Sequence, residues 1–245
     1  MIKQPVALQM FSLHHIWKEN PWKAMTVARD SGYTGIEFYG DLYSGDLCRA
    51  LLRETGLVCA GWHTPIEALE GDAFEKTLRL NIEVGSKYLC VPWFNSDRLD
   101  DWKRLCDRLN TIAGKLAKYG MQTGYHNHSH EFKPVEGVIP WELIAANTDP
   151  SVILQFDTGN CMSSGNGSPV EWLKAAAGRC RTIHCKPYSK KDGGRCAAGQ
   201  DDTPWRDIFD FCRTEGATEW FIVEYEVESD AETAVGNCCE YFSGL

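Results

Sequence analysis

Eight short runs rich in Val, Ile, Tyr, Phe and Cys alternate strictly with segments of helical period. That alternation constrains the fold more than any other feature of the chain. The apolar runs cover residues 5–11, 35–39, 57–64, 87–94, 121–128, 152–158, 181–188 and 220–226, and the helical segments after them 22–30, 46–54, 73–84, 99–119, 141–147, 170–177, 205–215 and 231–242. Gly32, Gly56, Gly85, Gly120 and Gly216 each follow a helical run, where a left-handed residue closes the last turn. Ser168-Pro169 and Thr203-Pro204 read as an N-cap followed by proline in the first turn. Strict alternation means parallel strands joined by right-handed crossovers. Eight such units within 245 residues predict one closed (β/α)₈ TIM barrel spanning 1–245 as a single domain, since that fold takes ~250 residues. An open doubly wound sheet is the weaker alternative.

Charge and cysteine usage narrow the partners. Lys plus Arg number 25 against 34 for Asp plus Glu, a formal charge of -9, which repels phosphate backbones and argues against nucleic acid. No apolar run approaches the ~18 residues of a membrane span, and nothing behind the first five residues reads as a secretory signal. Eleven cysteines lie within apolar segments without a Cys-x-x-Cys pair, as expected of reduced, buried thiols in a cytoplasmic protein. A small sugar or cyclitol is the expected partner, with a homo-oligomer left open.

Barrel strands should be apolar on both faces, so ionisable residues near their C-terminal ends stand out, and in this fold chemistry sits on that rim. Glu37 is expected at the end of the second strand and His63 of the third. His126 and His128 follow on the fifth, Asp157 on the sixth, His184 and Lys186 on the seventh, Glu224 and Glu226 on the eighth. His126, Asp157, His184 and Glu224 are separated by 31, 27 and 40 residues, each about one repeat, so they should stand at similar height. The last gap is lengthened by a glycine-rich insertion at 190–200. Two imidazoles and two carboxylates suit one divalent ion of the Mn²⁺, Mg²⁺, Co²⁺ or Zn²⁺ class. Isolated polar rim residues are the bland alternative, and burying four such groups without a metal would cost several kcal/mol.

The segments Gly35-Ile36-Glu37-Phe38, Tyr125-His126-Asn127-His128-Ser129-His130-Glu131-Phe132, Phe156-Asp157-Thr158-Gly159-Asn160, His184-Cys185-Lys186 and Val223-Glu224 together resemble the sugar phosphate isomerase/epimerase family. That family belongs to the xylose isomerase-like superfamily, alongside ketose 3-epimerases, inosose dehydratases and endonuclease IV-type repair enzymes. The resemblance implies a metal held by His126, Asp157, His184 and Glu224. In ketose 3-epimerases the fifth-strand ligand is a glutamate working with the eighth-strand glutamate across the sugar; this chain has His126 there. Where their sixth strand carries Asp-x-x-His, this chain has Asn160 in the histidine's place.

Such a site polarises a carbonyl while a base removes the neighbouring proton, the step shared by isomerisation, epimerisation and β-elimination through an enediolate. Glu224, Glu131, Lys186 and Glu37 are the candidate catalytic groups. His63, His128 and Asn160 are candidate substrate contacts, with Trp17, Trp62 and Trp93 as rings to stack on a sugar face. No phosphate cradle is evident, because Gly165-Asn166-Gly167 and Gly193-Gly194 lack an adjoining Lys-Ser/Thr. The reading is a metal-dependent sugar isomerase, epimerase or lyase. A non-catalytic sugar-binding or partner-subunit barrel is the alternative, and a repair endonuclease the least favoured.

Overall fold

The computed structural model describes residues 5–40, 44–192, 196–226 and 230–245. Its eight parallel strands are β1 (Val6–Gln9), β2 (Gly35–Tyr39), β3 (Val58–His63), β4 (Tyr88–Val91), β5 (Gln122–His126), β6 (Ile153–Asp157), β7 (Thr182–Cys185) and β8 (Trp220–Val223). They pair in sequence order, and β8 returns to β1 to close a barrel. Each expected apolar run contains one strand, which in β2 fills the run and in the other seven is shorter than it. Glu37 is in the middle of β2 rather than at its end, while His128, Lys186 and Glu224 lie just beyond their shortened strands.

The surrounding helices are α1 (His14–Glu19), α2 (Pro21–Asp30), α3 (Gly45–Thr55), α4 (Phe74–Val84), α5 (Leu99–Leu116), α6 (Pro140–Asn147), α7 (Thr158–Ser163), α8 (Pro169–Leu173), α9 (Trp205–Phe211) and α10 (Ala231–Ser243). The short α1 and α7 carry no stretch of helical period long enough to read in sequence. In α5 a clear apolar stripe, Trp102, Leu105, Leu109, Ile112 and Leu116, packs down on the strands. Gly56, Gly85 and Gly120 cap their helices in the left-handed conformation. Gly216 does not; its helix ends in a π turn, and Ala217 takes the left-handed position at φ 57°. Thr203-Pro204 is displaced by one residue, with Pro204 at the N-cap.

The barrel interior departs from the expected apolar filling. Gln9, Glu37, Gln155, Thr182 and His184 are completely or almost completely buried and bond to one another across it. A bulge in β3 makes this possible: Ile36 pairs with Cys59 but Glu37 with Gly61, so Ala60 is an extra residue. The shift puts Gly61 opposite Glu37 and brings His63 level with Tyr39. Glycine is required there, because a Cβ on residue 61 would lie 2.9 Å from Glu37 Oε1. Of the cysteines, all are free and all but the half-buried Cys196 are buried. Among the described residues, no helix is long and apolar enough to cross a membrane.

Candidate metal centre at the barrel mouth

His126, Asp157, His184 and Glu224 converge from the ends of β5, β6, β7 and β8. Each offers one ligand atom within 4.8 Å of the others, and all four are buried. Asp157 uses Oδ1 to cap α7, accepting the Asn160 N–H at 2.6 Å. Its Oδ2 is buried without a hydrogen-bond partner, 3.8 Å from His184 Nδ1 and 4.0 Å from His126 Nε2. A buried carboxylate oxygen left bare between two imidazole nitrogens is costly unless a cation completes it. The donor set therefore fits a divalent ion.

Around this cluster, hydrogen bonds orient the rings. His184 lies between two carboxylates, Nδ1 at 2.6 Å from Glu224 Oε2 and Nε2 at 2.7 Å from Glu37 Oε2. Burial alone would lower its pKa, but Glu37 and Glu224 together raise it to about 10. Burial pushes the Asp157 carboxyl up to about 7, with Glu224 adding to it. For Glu224 burial acts upward too, yet Lys186 and His184 outweigh it and hold the carboxyl well below its usual range. Burial and the neighbouring His184 keep His126 neutral far below the ordinary histidine range. His63 stacks on His184 with ring centres 5.0 Å apart and meets Gln155 Oε1 through Nε2 at 2.7 Å.

The other expected residues divide. Lys186 reaches the cluster, its Nζ 3.4 Å from Glu224 Oε1, 2.9 Å from Glu226 and 3.2 Å from Asn160 Oδ1. Burial opposes its charge, but Glu224, Asp157 and Glu226 outweigh that and raise its pKa, which keeps the amine protonated. Asn160 is tied down, its amide also donating to Asn127 O. The His128 ring lies edge-on to Trp93 at 4.5 Å with Nδ1 buried and unpartnered, and burial lowers its pKa to about 4. Trp93 is 55% exposed at the mouth.

Glu131, Trp17 and Trp62 are placed differently from expectation. Glu131 is fully buried, accepting the Tyr125 hydroxyl on Oε1 and the His128 N–H on Oε2, so both oxygens brace the loop after β5 instead of facing a substrate. Trp17 and Trp62 pack on Phe38, ring centres 5.7 and 4.7 Å away, and the Trp62 indole N–H donates to Gly40 O. They fill the layer between strands and helices because Phe38 and Trp62 alternate with the inward Glu37 and His63. Glu37 is a brace for His184 below the rim. Gly193-Gly194 lies outside the described residues, and Gly165 and Gly167 take positive φ in the turn between α7 and α8.

Two contributors escaped the sequence reading. Asn127 grips the Asp157 backbone from both sides, accepting its N–H at 2.9 Å and donating to its carbonyl at 3.2 Å. Gln155 joins His63, His126, Glu37 and Thr182. Its position two residues before Asp157 on the same strand face was the available signal.

The model of one family, the xylose isomerase-like TIM barrel, matches residues 25–242. The chain belongs to that family. It is 25% identical over 168 residues to an inosose dehydratase of Bacillus licheniformis, a match covering 61% of this chain and 53% of the relative. The chain spans about half the length of the curated relatives it matches first. A sugar phosphate isomerase/epimerase from Parabacteroides distasonis superposes with a TM-score of 0.86 at 22% identity, covering 100% of this chain and 95% of that one. An L-ribulose 3-epimerase superposes at 0.72 and 15% identity, with 97% and 93% covered. At these identities the superpositions speak for the fold.

Proposed function

We propose that the protein is a divalent-metal-dependent enzyme that moves a proton beside the carbonyl of a sugar, keto-sugar or cyclitol, with elimination of water as the favoured outcome. The observation that carries this reading is the bare, buried Asp157 Oδ2 between His126 Nε2 and His184 Nδ1, with the Glu224–Lys186 pair alongside. His126, Asp157, His184 and Glu224 would hold the ion, of the Mn²⁺, Mg²⁺, Co²⁺ or Zn²⁺ class, which when bound supplies Lewis-acid polarisation of a carbonyl.

The chain's own groups suit the proton traffic. Glu224 accepts the proton from the carbon next to the carbonyl, and the released electron pair forms the new C=C bond. Lys186 Nζ gives a proton to the hydroxyl leaving from the adjoining carbon, which departs as water. Glu224 Oε1 lies 3.4 Å from Lys186 Nζ, so the proton taken can return to the amine and reset the pair. His126, where ketose 3-epimerases carry a glutamate, removes the second carboxylate that exchange across both sugar faces needs. Similarity to inosose dehydratases agrees with elimination from a cyclic ketone.

Elemental analysis of the purified protein, followed by incubation with sugars, 3-keto sugars and keto-inositols in D₂O read by NMR, tests this. The expected result is one divalent ion per chain, with solvent deuterium entering a keto substrate that loses water. A protein with no divalent ion and no exchange on any of these compounds overturns the reading.

A further inference from the structure

Gln155 has no exposed surface, and its amide uses its full bonding capacity. Nε2 donates to Glu37 Oε1 at 2.8 Å and to Thr182 Oγ1 at 2.9 Å. Oε1 lies 2.7 Å from His63 Nε2 and 3.1 Å from His126 Nδ1. An amide's oxygen and nitrogen have nearly the same shape, so partners decide which way it points. Here Glu37 decides. Its carboxylate already accepts the Gln9 amide at 2.6 Å and meets His184 Nε2 at 2.7 Å, and a carboxylate has only acceptors to offer. Turning the Gln155 amide over would press oxygen on oxygen at Glu37.

With the amide oxygen facing both rings, His126 must supply an N–H from Nδ1. We infer that Gln155 is a positioning residue that transmits the orientation imposed by Glu37 to His126 and fixes its tautomer. The Nε2 lone pair is thereby aimed toward Asp157 Oδ2, 4.0 Å away. The consequence for ion binding rests on the metal-centre reading proposed above; the tautomer itself does not.

The test uses ¹⁵N-labelled, metal-free protein and long-range ¹H–¹⁵N correlation, with the His126 signals assigned by their loss in His126→Gln. Wild type should show His126 protonated at Nδ1. Gln155→Met, similar in length but unable to accept these bonds, should shift the ring toward the other tautomer. Its affinity for Zn²⁺, read by chelator competition, should fall roughly ten- to hundredfold. Glu37→Gln keeps the shape at 37 but frees the Gln155 amide to turn, so it should scramble the His126 tautomer through one intervening side chain. It serves equally if Gln155→Met does not fold. Thr182→Val removes a contact on the far side of the amide and should leave the tautomer unchanged. Wild type protonated at Nε2, or either folded variant at Gln155 or Glu37 keeping His126 wholly at Nδ1–H, overturns the inference. A wild type with the expected tautomer but no metal would instead overturn the metal-centre reading alone.

Discussion

Asp157 splits its carboxylate between an N-cap, which Oδ1 makes, and the bare Oδ2 in the cluster. Asp157→Ala should abolish stoichiometric metal in elemental analysis while circular dichroism stays that of a folded barrel. Full occupancy in the variant would remove Asp157 from the ligand set. Protons compete with metal for the same lone pairs. In the metal-free protein Asp157 is pushed up to about 7 and His184 raised to about 10, so both carry protons below pH 7 and His184 alone between those values. Affinity should therefore fall with acidification, releasing one proton per metal above pH 7 and two below it. Titrations at a series of pH values check this, and a flat affinity between pH 6 and pH 9 contradicts it. His126 also bears on reaction type: free D-fructose and D-tagatose should be poor substrates for C3 epimerisation. Efficient conversion of fructose at C3, lost on Glu224→Gln, would show that an imidazole at 126 does not disable that mechanism.

At the level of elements, the site depends on how closely the strands approach. Gly124 on β5 leaves no room for a side chain, since a Cβ would lie 2.5 Å from the Ile153 backbone oxygen on β6. Gly159 is equally confined, 2.8 Å from Lys186 O, which lets α7 start directly beside the chain after β7. The outer layer supplies the stability on which these approaches rest. Leu109, fully buried on α5, should cost about 2–5 kcal/mol when cut to Ala, read as a lower urea midpoint at unchanged slope. Metal content should survive that change, because Leu109 packs on the outside of the strands. The alternation of strands and helices was legible because each element repeats a simple apolar period. The short α1 and α7 were not, because neither is long enough to show a period, and the bulge at Ala60 was not, because it depends on the pairing of two strands.

For the whole molecule, metal binding should couple to stability. At a free concentration one hundred times Kd the ion adds ~2.7 kcal/mol, and each kcal/mol moves the midpoint of a chain this size by roughly 2–4 °C. Thermal scans with chelator against excess Mn²⁺ should thus differ by roughly 5–10 °C, and no difference would count against a native-state metal site. With a formal charge of -9, the protein should leave a duplex containing an abasic site unretarded in a gel. Sequence alone determined the closed barrel and brought four candidate ligands to one rim, because repeat length sets both strand order and height. Tertiary structure alone decided which polar residues look inward and what each carboxylate does. Glu131 and Glu37 read as candidate catalysts but serve as braces, while Gln155 went unnoticed at the centre of the network. The physical reason is that a carboxylate's role depends on which donors reach its two oxygens, and those donors come from strands up to 147 residues apart.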